Sequence, residues 1–298
     1  VWLAIILCLG LSIPAHAATI FTEDYEVGTV DDLHDKGWWW ISQLDQTVAE
    51  GGGCNVYCPM SIVTTSSQGR APHGGSKMIL LEYRGMHAPG GQADDSHNGT
   101  LVRAMPNLAE YWGRFWLLTE VNTKNIDGTE ISPNPPTSSS FQTSGKHYYL
   151  KTSSPGFPNN LLSYTNGADR NLTIQSQGIS GAEIGRTWLH NLGSRPINDG
   201  KWYCIEFHVK KNTVNVRDGI FETWVDGFKT QEFTDVLERT TANGPTTTLS
   251  ELIVYRQGNN WMNRYEDDFV MATTRVGCSG NPTADSTPPG IPAGLTIR

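Results

Sequence analysis

The stretch Trp202-Tyr-Cys-Ile-Glu-Phe-His-Val-Lys210 decides how this chain is read. Successive side chains of an extended strand point to opposite faces. Tyr203, Ile205, Phe207 and Val209 therefore fall on one side, and Trp202, Cys204, Glu206, His208 and Lys210 on the other. The first set is a core face. The second, an indole in line with three ionisable groups, is either a solvated sheet face or the floor of a binding groove.

Outward from this strand the pattern repeats. Alternating runs at Lys77–Tyr83, Tyr111–Val121, Lys146–Lys151, Leu172–Gln177, Ile220–Val225, Glu251–Tyr255 and Asp268–Thr273 are bounded by Gly, Asn, Ser and Pro. The 31 Gly and 16 Pro are spread along the chain, which divides it into short strands and turns, as in a sandwich or barrel. Asp218-Gly219 and Asp226-Gly227 are turn dipeptides at the two ends of one strand. Thr234–Thr240 alone has a helical look. Thr123–Ser144, rich in Pro, Ser, Thr and Asn, is expected to be a long loop over one face. The fold class is all-β.

The first residues point to export. An apolar run from Val1 to Leu11 is followed by Pro14 and by Ala15-His16-Ala17, an h-region and a small-residue cleavage site, so residues 1–17 are expected to be a signal peptide truncated at its start. The run is shorter than the ~20 residues of a membrane span, so no stable membrane anchor is expected. The protein is placed as secreted, extracellular or periplasmic. Cleavage leaves Cys54, Cys58, Cys204 and Cys278. In an exported chain these favour two disulfides, of which Cys54–Cys58 with Cys204–Cys278 is preferred among three connectivities, with zinc as the weaker alternative. A net charge of −8 excludes nucleic acid as a natural partner, because phosphate neutralisation requires a basic face.

Three segments together resemble a known family. They are Asp199-Gly-Lys-Trp-Tyr-Cys-Ile-Glu-Phe-His-Val, Asp218-Gly-Ile-Phe-Glu-Thr-Trp-Val-Asp-Gly227 and Tyr265-Glu-Asp-Asp-Phe-Val-Met-Ala-Thr-Thr-Arg275. They are similar to the closing strands of a concanavalin A-like jelly roll, in the version found in secreted polysaccharide lyases and lectin-like modules. Glu23-Asp-Tyr-Glu-x-Gly-Thr and Lys146-His-Tyr-Tyr-Leu fit the same pattern. The resemblance implies a jelly-roll sandwich of two antiparallel sheets over residues 18–278, and it reports fold more than activity. Residues 279–287 read as a linker. Residues 288–298, with the order Pro-Pro-x-x-Pro-x-Gly-Leu, resemble the opening of a fibronectin type III domain.

The chemistry is weighed on the strand faces. Glycoside hydrolysis requires two carboxylates about 5–10 Å apart. The Glu-x-Asp-x-x-Glu motif of jelly-roll glucanases is missing, and Glu222 and Asp226 sit in a hairpin and read as structural. β-Elimination on a uronate requires a base for the C5 proton, an acid for the leaving oxygen and a cation for the carboxylate. Jelly-roll lyases draw these from His, Tyr, Arg and amides on a concave sheet; by shared strand face and chemical type, His147 is the expected base, Tyr149 the acid, and Arg114 with Lys210 the neutralising cations. Trp116, Lys146, Lys151, His208 and Arg256 are the expected substrate-binding residues. The expected partner is an extracellular polysaccharide that contains uronate, and the alternative is a non-catalytic lectin-like module. Relatives often hold a structural Ca²⁺ where the first and last strands meet, and Glu23 and Asp268 are the oxygen donors expected there. Trp224 is read as packed rather than sugar-binding, and at least one of Trp38-Trp39-Trp40 must point outward.

Overall fold

The structure, a computed structural model, describes residues 18–40, 60–82, 99–121, 146–153, 159–164, 172–177, 192–193, 195–198, 200–242, 244–246, 248–257 and 262–278. The expected signal peptide, Cys54–Cys58, the Thr123–Ser144 loop, the linker and the fibronectin-like start lie outside the described residues. Among those described, no helix is long and apolar enough to cross a membrane.

The strands are β1 (Thr19–Glu23), β2 (Trp38–Trp40), β3 (Met60–Val63), β4 (Met78–Leu81), β5 (Gly99–Leu108), β6 (Glu110–Val121) and β7 (Lys146–Thr152). They continue with β8 (Asn159–Tyr164), β9 (Leu172–Gln177), β10 (Trp202–Lys210), β11 (Gly219–Val225), β12 (Phe228–Val236), β13 (Leu249–Gln257) and β14 (Met262–Ala272). The larger, eight-stranded sheet runs β12-β11-β10-β6-β14-β4-β3, with β1 also on β14, and the smaller, six-stranded sheet runs β2-β5-β13-β7-β8-β9. Every pairing is antiparallel. This is the β-sandwich jelly roll. The expected helix at Thr234–Thr240 is instead the end of β12 and an irregular stretch. A 3-10 turn at Asp31–Lys36 precedes β2.

The period-two reading holds on β10: Tyr203, Ile205, Phe207 and Val209 are buried between the sheets with Phe115, Tyr148, Leu252, Val254 and Phe269. At the β11–β12 hairpin both Asp226 and Gly227 take positive φ, 49° and 77°, as a tight turn of this hand requires. One edge of each sheet is joined to the other by a side chain acting as backbone. Gln231 of β12 accepts from the Ile174 amide of β9 at 2.8 Å and donates to its carbonyl at 2.9 Å, stitching an edge of one sheet to an edge of the other and leaving less open edge for unwanted pairing. Nearby, Lys211 is ion-paired with Glu238 at 2.8 Å in full burial, and Glu238 accepts from Asn160 of β8 at 2.9 Å.

The core also fixes how closely two central strands approach. Gly113 of β6 lies directly opposite Phe207 of β10. A Cβ at residue 113 would stand 2.1 Å from the Phe207 ring, which is buried and has nowhere to retreat. Gly113→Ala is therefore expected to destabilise the sandwich by about 1–3 kcal/mol through overpacking, read as a lower midpoint in urea unfolding. An unchanged midpoint would refute the fit.

Candidate functional site

The outer face of the larger sheet gathers several of the ionisable side chains singled out above. In the β6–β10 register, Trp202 faces Leu118, Cys204 faces Trp116, Glu206 faces Arg114, His208 faces Trp112 and Lys210 faces Glu110. Arg114, Trp116, His208 and Lys210 are thus brought together, as alternation predicts. Two segments lie across this face. Residues 64–77 are held down by Ser66 and Ser67, whose hydroxyls donate to Glu120 at 2.6 Å each, and by Trp202, whose indole N–H donates to the Ala71 carbonyl at 3.0 Å. Within this segment His73 stacks on Trp116 at 3.6 Å, with Nδ1 2.7 Å from Asp268.

The second segment, residues 273–278, answers the buried Glu206. Arg275 donates to its two oxygens at 3.1 and 2.7 Å, and the Gly277 amide donates at 2.9 Å. The Cys204–Cys278 disulfide, the expected pair, fixes the segment to β10. The face is consequently packed rather than open. Arg114 is only 1 % exposed and donates to the Asp268 carbonyl at 3.2 Å. Burial lowers its pKa, against the nearby charges of Asp268 and Glu206. Trp224 is buried beneath the Arg275 guanidinium, 4.4 Å from its ring, and is structural as read. Further along, His208 is held between Glu222 at 2.7 Å and Glu110 at 2.9 Å. Burial opposes the Glu222 charge, but hydrogen bonds from His208 and Lys229 outweigh it and bring the carboxyl to about 2.

The remaining expected catalytic and substrate-binding residues lie on the smaller sheet, so the four expected catalytic side chains do not form one site. His147 requires a correction. The β7–β8 register shifts between Lys146 and Tyr148, and this irregularity turns His147 inward beside Tyr148 rather than outward with Tyr149. Both meet Glu266 of β14: the Tyr148 hydroxyl donates to it, and His147 Nδ1 lies 3.7 Å away. Burial, and then the charge of Arg264, hold the imidazole well below its ordinary pKa. His147 is fully buried in the core. Tyr149 and Lys151 lie on the opposite, outer face of β7. Tyr149 is half-buried, and the Lys151 side chain is 45 % exposed and ion-paired with Glu251 at 3.0 Å. Lys146 and Arg256 belong to the adjoining strands β7 and β13, where Lys146 pairs with Gln257.

The two expected calcium ligands also part company. Glu23 accepts from Lys36 at 2.8 Å, from the Trp38 indole at 2.9 Å and from the Tyr25 amide at 3.1 Å, on the core side. Asp268, with φ of 49° at a register shift in β14, is turned outward to His73. Donors already satisfy Glu23, so the pair does not fit a shared Ca²⁺. Among the described residues no group of three or more His, Cys, Asp and Glu is arranged to hold a metal. Sequence reading passed over His73 and Trp112. Trp112 was legible by alternation, two residues before Arg114, whereas His73 reaches the face only through the loop's tertiary anchors.

No family model matches the chain, and no curated protein matches it. Among solved structures it is similar to a cellulose-induced protein, Cip1, at 14 % identity and a TM-score of 0.52, covering 87 % of this chain and 99 % of that one. It is also similar to an endo-β-1,4-glucuronan lyase from the fungus Trichoderma reesei, at 13 % identity, a TM-score of 0.47, and 86 % and 96 % coverage. An alginate lyase from Aplysia kurodai follows at 12 % identity, a TM-score of 0.47, and 72 % and 87 % coverage. At this level the likeness to Cip1 shows the fold, a jelly-roll β-sandwich, and nothing about activity.

Two outcomes follow from the geometry. The Glu222 carboxyl is depressed from 4.5 to about 2, so its contribution is fully present above about 4.5 and is lost as pH falls towards about 2. Glu222→Gln is expected to flatten the fall in stability across that window, measured by urea unfolding at stepped pH. Glu23→Gln weakens two buried hydrogen bonds and one part-buried one, with an expected cost of about 1–3 kcal/mol. If Glu23 is structural, added Ca²⁺ shifts the thermal midpoints of parent and variant equally, and a Ca²⁺ response lost only in the variant would restore Glu23 as a ligand.

Proposed function

We propose that this chain is an exported polysaccharide lyase that cleaves a uronate-containing chain on the outer face of the smaller sheet. One observation carries the reading: Tyr149 and Lys151, a phenol and an ammonium group two residues apart on one face of β7, lie outside the closed face of the larger sheet. With His147 sealed in the core, Tyr149 is the proton carrier. As the phenolate, its oxygen takes the C5 proton, and the phenol so formed gives that proton to the glycosidic oxygen as the C4–O bond breaks and the C4–C5 double bond forms. Lys151 neutralises the carboxylate on C5, so that negative charge developing there is met by a fixed cation. No step requires a metal.

A second reading is a binding module without catalysis. The Lys151–Glu251 ion pair at 3.0 Å favours it, because Glu251 competes for the cation that elimination needs, whereas a site that only hydrogen-bonds sugar hydroxyls tolerates the pair.

The experiment follows the ultraviolet absorbance of the unsaturated uronate formed from alginate, glucuronan, pectin and glycosaminoglycans. The expected result is a rise on one of them that Tyr149→Phe reduces by about 10²–10⁴-fold, with Lys151→Ala raising KM and lowering kcat. A flat trace across the panel, or a parent-like rate in Tyr149→Phe, overturns the assignment. Retained uronate binding with a flat trace selects the binding module.

A further inference from the structure

One corner of the larger sheet's outer face lies where segment 273–278 begins, at Trp112 opposite Ala272. Trp112 of β6 is half-buried there, with one ring face laid flat on His208 at 3.8 Å and an interplanar angle of 10°, and with Trp224 at 5.5 Å. Around it stand polar side chains that reach solvent and are already fixed in place. Glu110, 43 % exposed, holds His208 Nε2 at 2.9 Å. Lys229 bridges Glu222, at 2.7 Å, and Glu232. Lys210 faces Glu110 across the β6–β10 pair.

We infer that this corner is a second carbohydrate site, separate from β7, and that its ligand is a neutral pyranose chain. An indole backed by a stacked imidazole is a rigid platform, and its electron-rich face attracts the C–H groups on the apolar side of a pyranose ring. The surrounding groups suit hydroxyls. A carboxylate with one oxygen engaged keeps lone pairs for a hydroxyl donor, and a bridging ammonium keeps an N–H for a hydroxyl acceptor. Because these side chains already hold one another, little rotamer freedom is left to lose on binding. Charge decides the class of sugar. Three carboxylates, Glu110, Glu222 and Glu232, stand against two ammonium groups, Lys229 and Lys210. The balance offers no excess of positive charge to a polyuronate, so the site complements a neutral chain and repels part of an anionic one. The two sheets then contact different parts of one composite material: β7 acts on its uronate component, and Trp112 holds a neutral component.

The test is calorimetric titration with cellohexaose, mannohexaose, xylohexaose and an alginate hexasaccharide. The expected result is saturable binding of at least one neutral oligosaccharide, weakened about tenfold or more in Trp112→Ala and severalfold in Glu110→Ala, whose exposed side chain leaves the thermal midpoint at the parent value. Uronate elimination is unchanged in both variants, and neutral binding is unchanged in Tyr149→Phe, so the two sites fail or succeed separately. Binding of no neutral oligosaccharide overturns the inference. So does neutral binding that survives both variants, or a Trp112 dependence confined to the alginate oligosaccharide.

Discussion

A carboxylate in the middle of a sheet cannot be left without counter-charge, and the burial of Glu206 on β10 sets the conditions for the whole outer face of the larger sheet. Removing one partner from a buried pair typically costs several kcal/mol. Here the partner is supplied by the end of the described chain: the Arg275 fork, the Gly277 amide and the disulfide from Cys278 converge on one strand. That convergence draws residues 273–278 across Trp224, and with residues 64–77 it closes the neighbourhood of Arg114 and Trp116. A face that alternation alone offers as a groove floor is thereby converted into an interior.

The space between the sheets is charged as well. Glu266 is fully buried with Arg264 at 2.7 Å and accepts from the Tyr148 hydroxyl. Burial raises the Glu266 pKa against the opposing influence of Arg264 and Tyr148. Lys211 and Glu238 repeat the arrangement towards β8. Such networks hold only while every member keeps its partner. They therefore specify how the sheets are registered against each other more strongly than an apolar interior of the same volume would, and they explain why His147 and Tyr148 are both drawn inward from one strand.

The fold was legible where alternation is strict and both faces obey it. β10 carries its whole core set in period two, β6 and β11 do the same, and the Asp226-Gly227 hairpin is announced by its dipeptide. The strands that escaped notice break the pattern for physical reasons. In β5, Arg103 points inward over Phe21 at 4.3 Å, and Pro106 interrupts the run. β12 is an edge strand whose Lys229, Thr230, Gln231 and Glu232 bind to side chains or to the opposite sheet, so its polar string resembles a short helix more than a strand. The site was legible only in part. Alternation places Arg114, Trp116, His208 and Lys210 on one face, but it assumes regular pairing, and a single register shift beside His147 reverses that residue's direction. Covering segments leave no periodic trace, so the closure of the face by His73 and Arg275 was invisible.

The disulfide also determines how the domain carries mechanical load. Residues 279–298 continue from Cys278, which is covalently attached to Cys204 inside β10, a strand flanked by β6 on one side and β11 on the other. Tension arriving along that continuation bypasses the hydrogen bonds between β14 and its neighbours and enters the sheet at its centre. To yield, β10 must slide against two ladders at once, so the attachment point is braced in shear and the pairings of β14 with β6, β4 and β1 are relieved of the load.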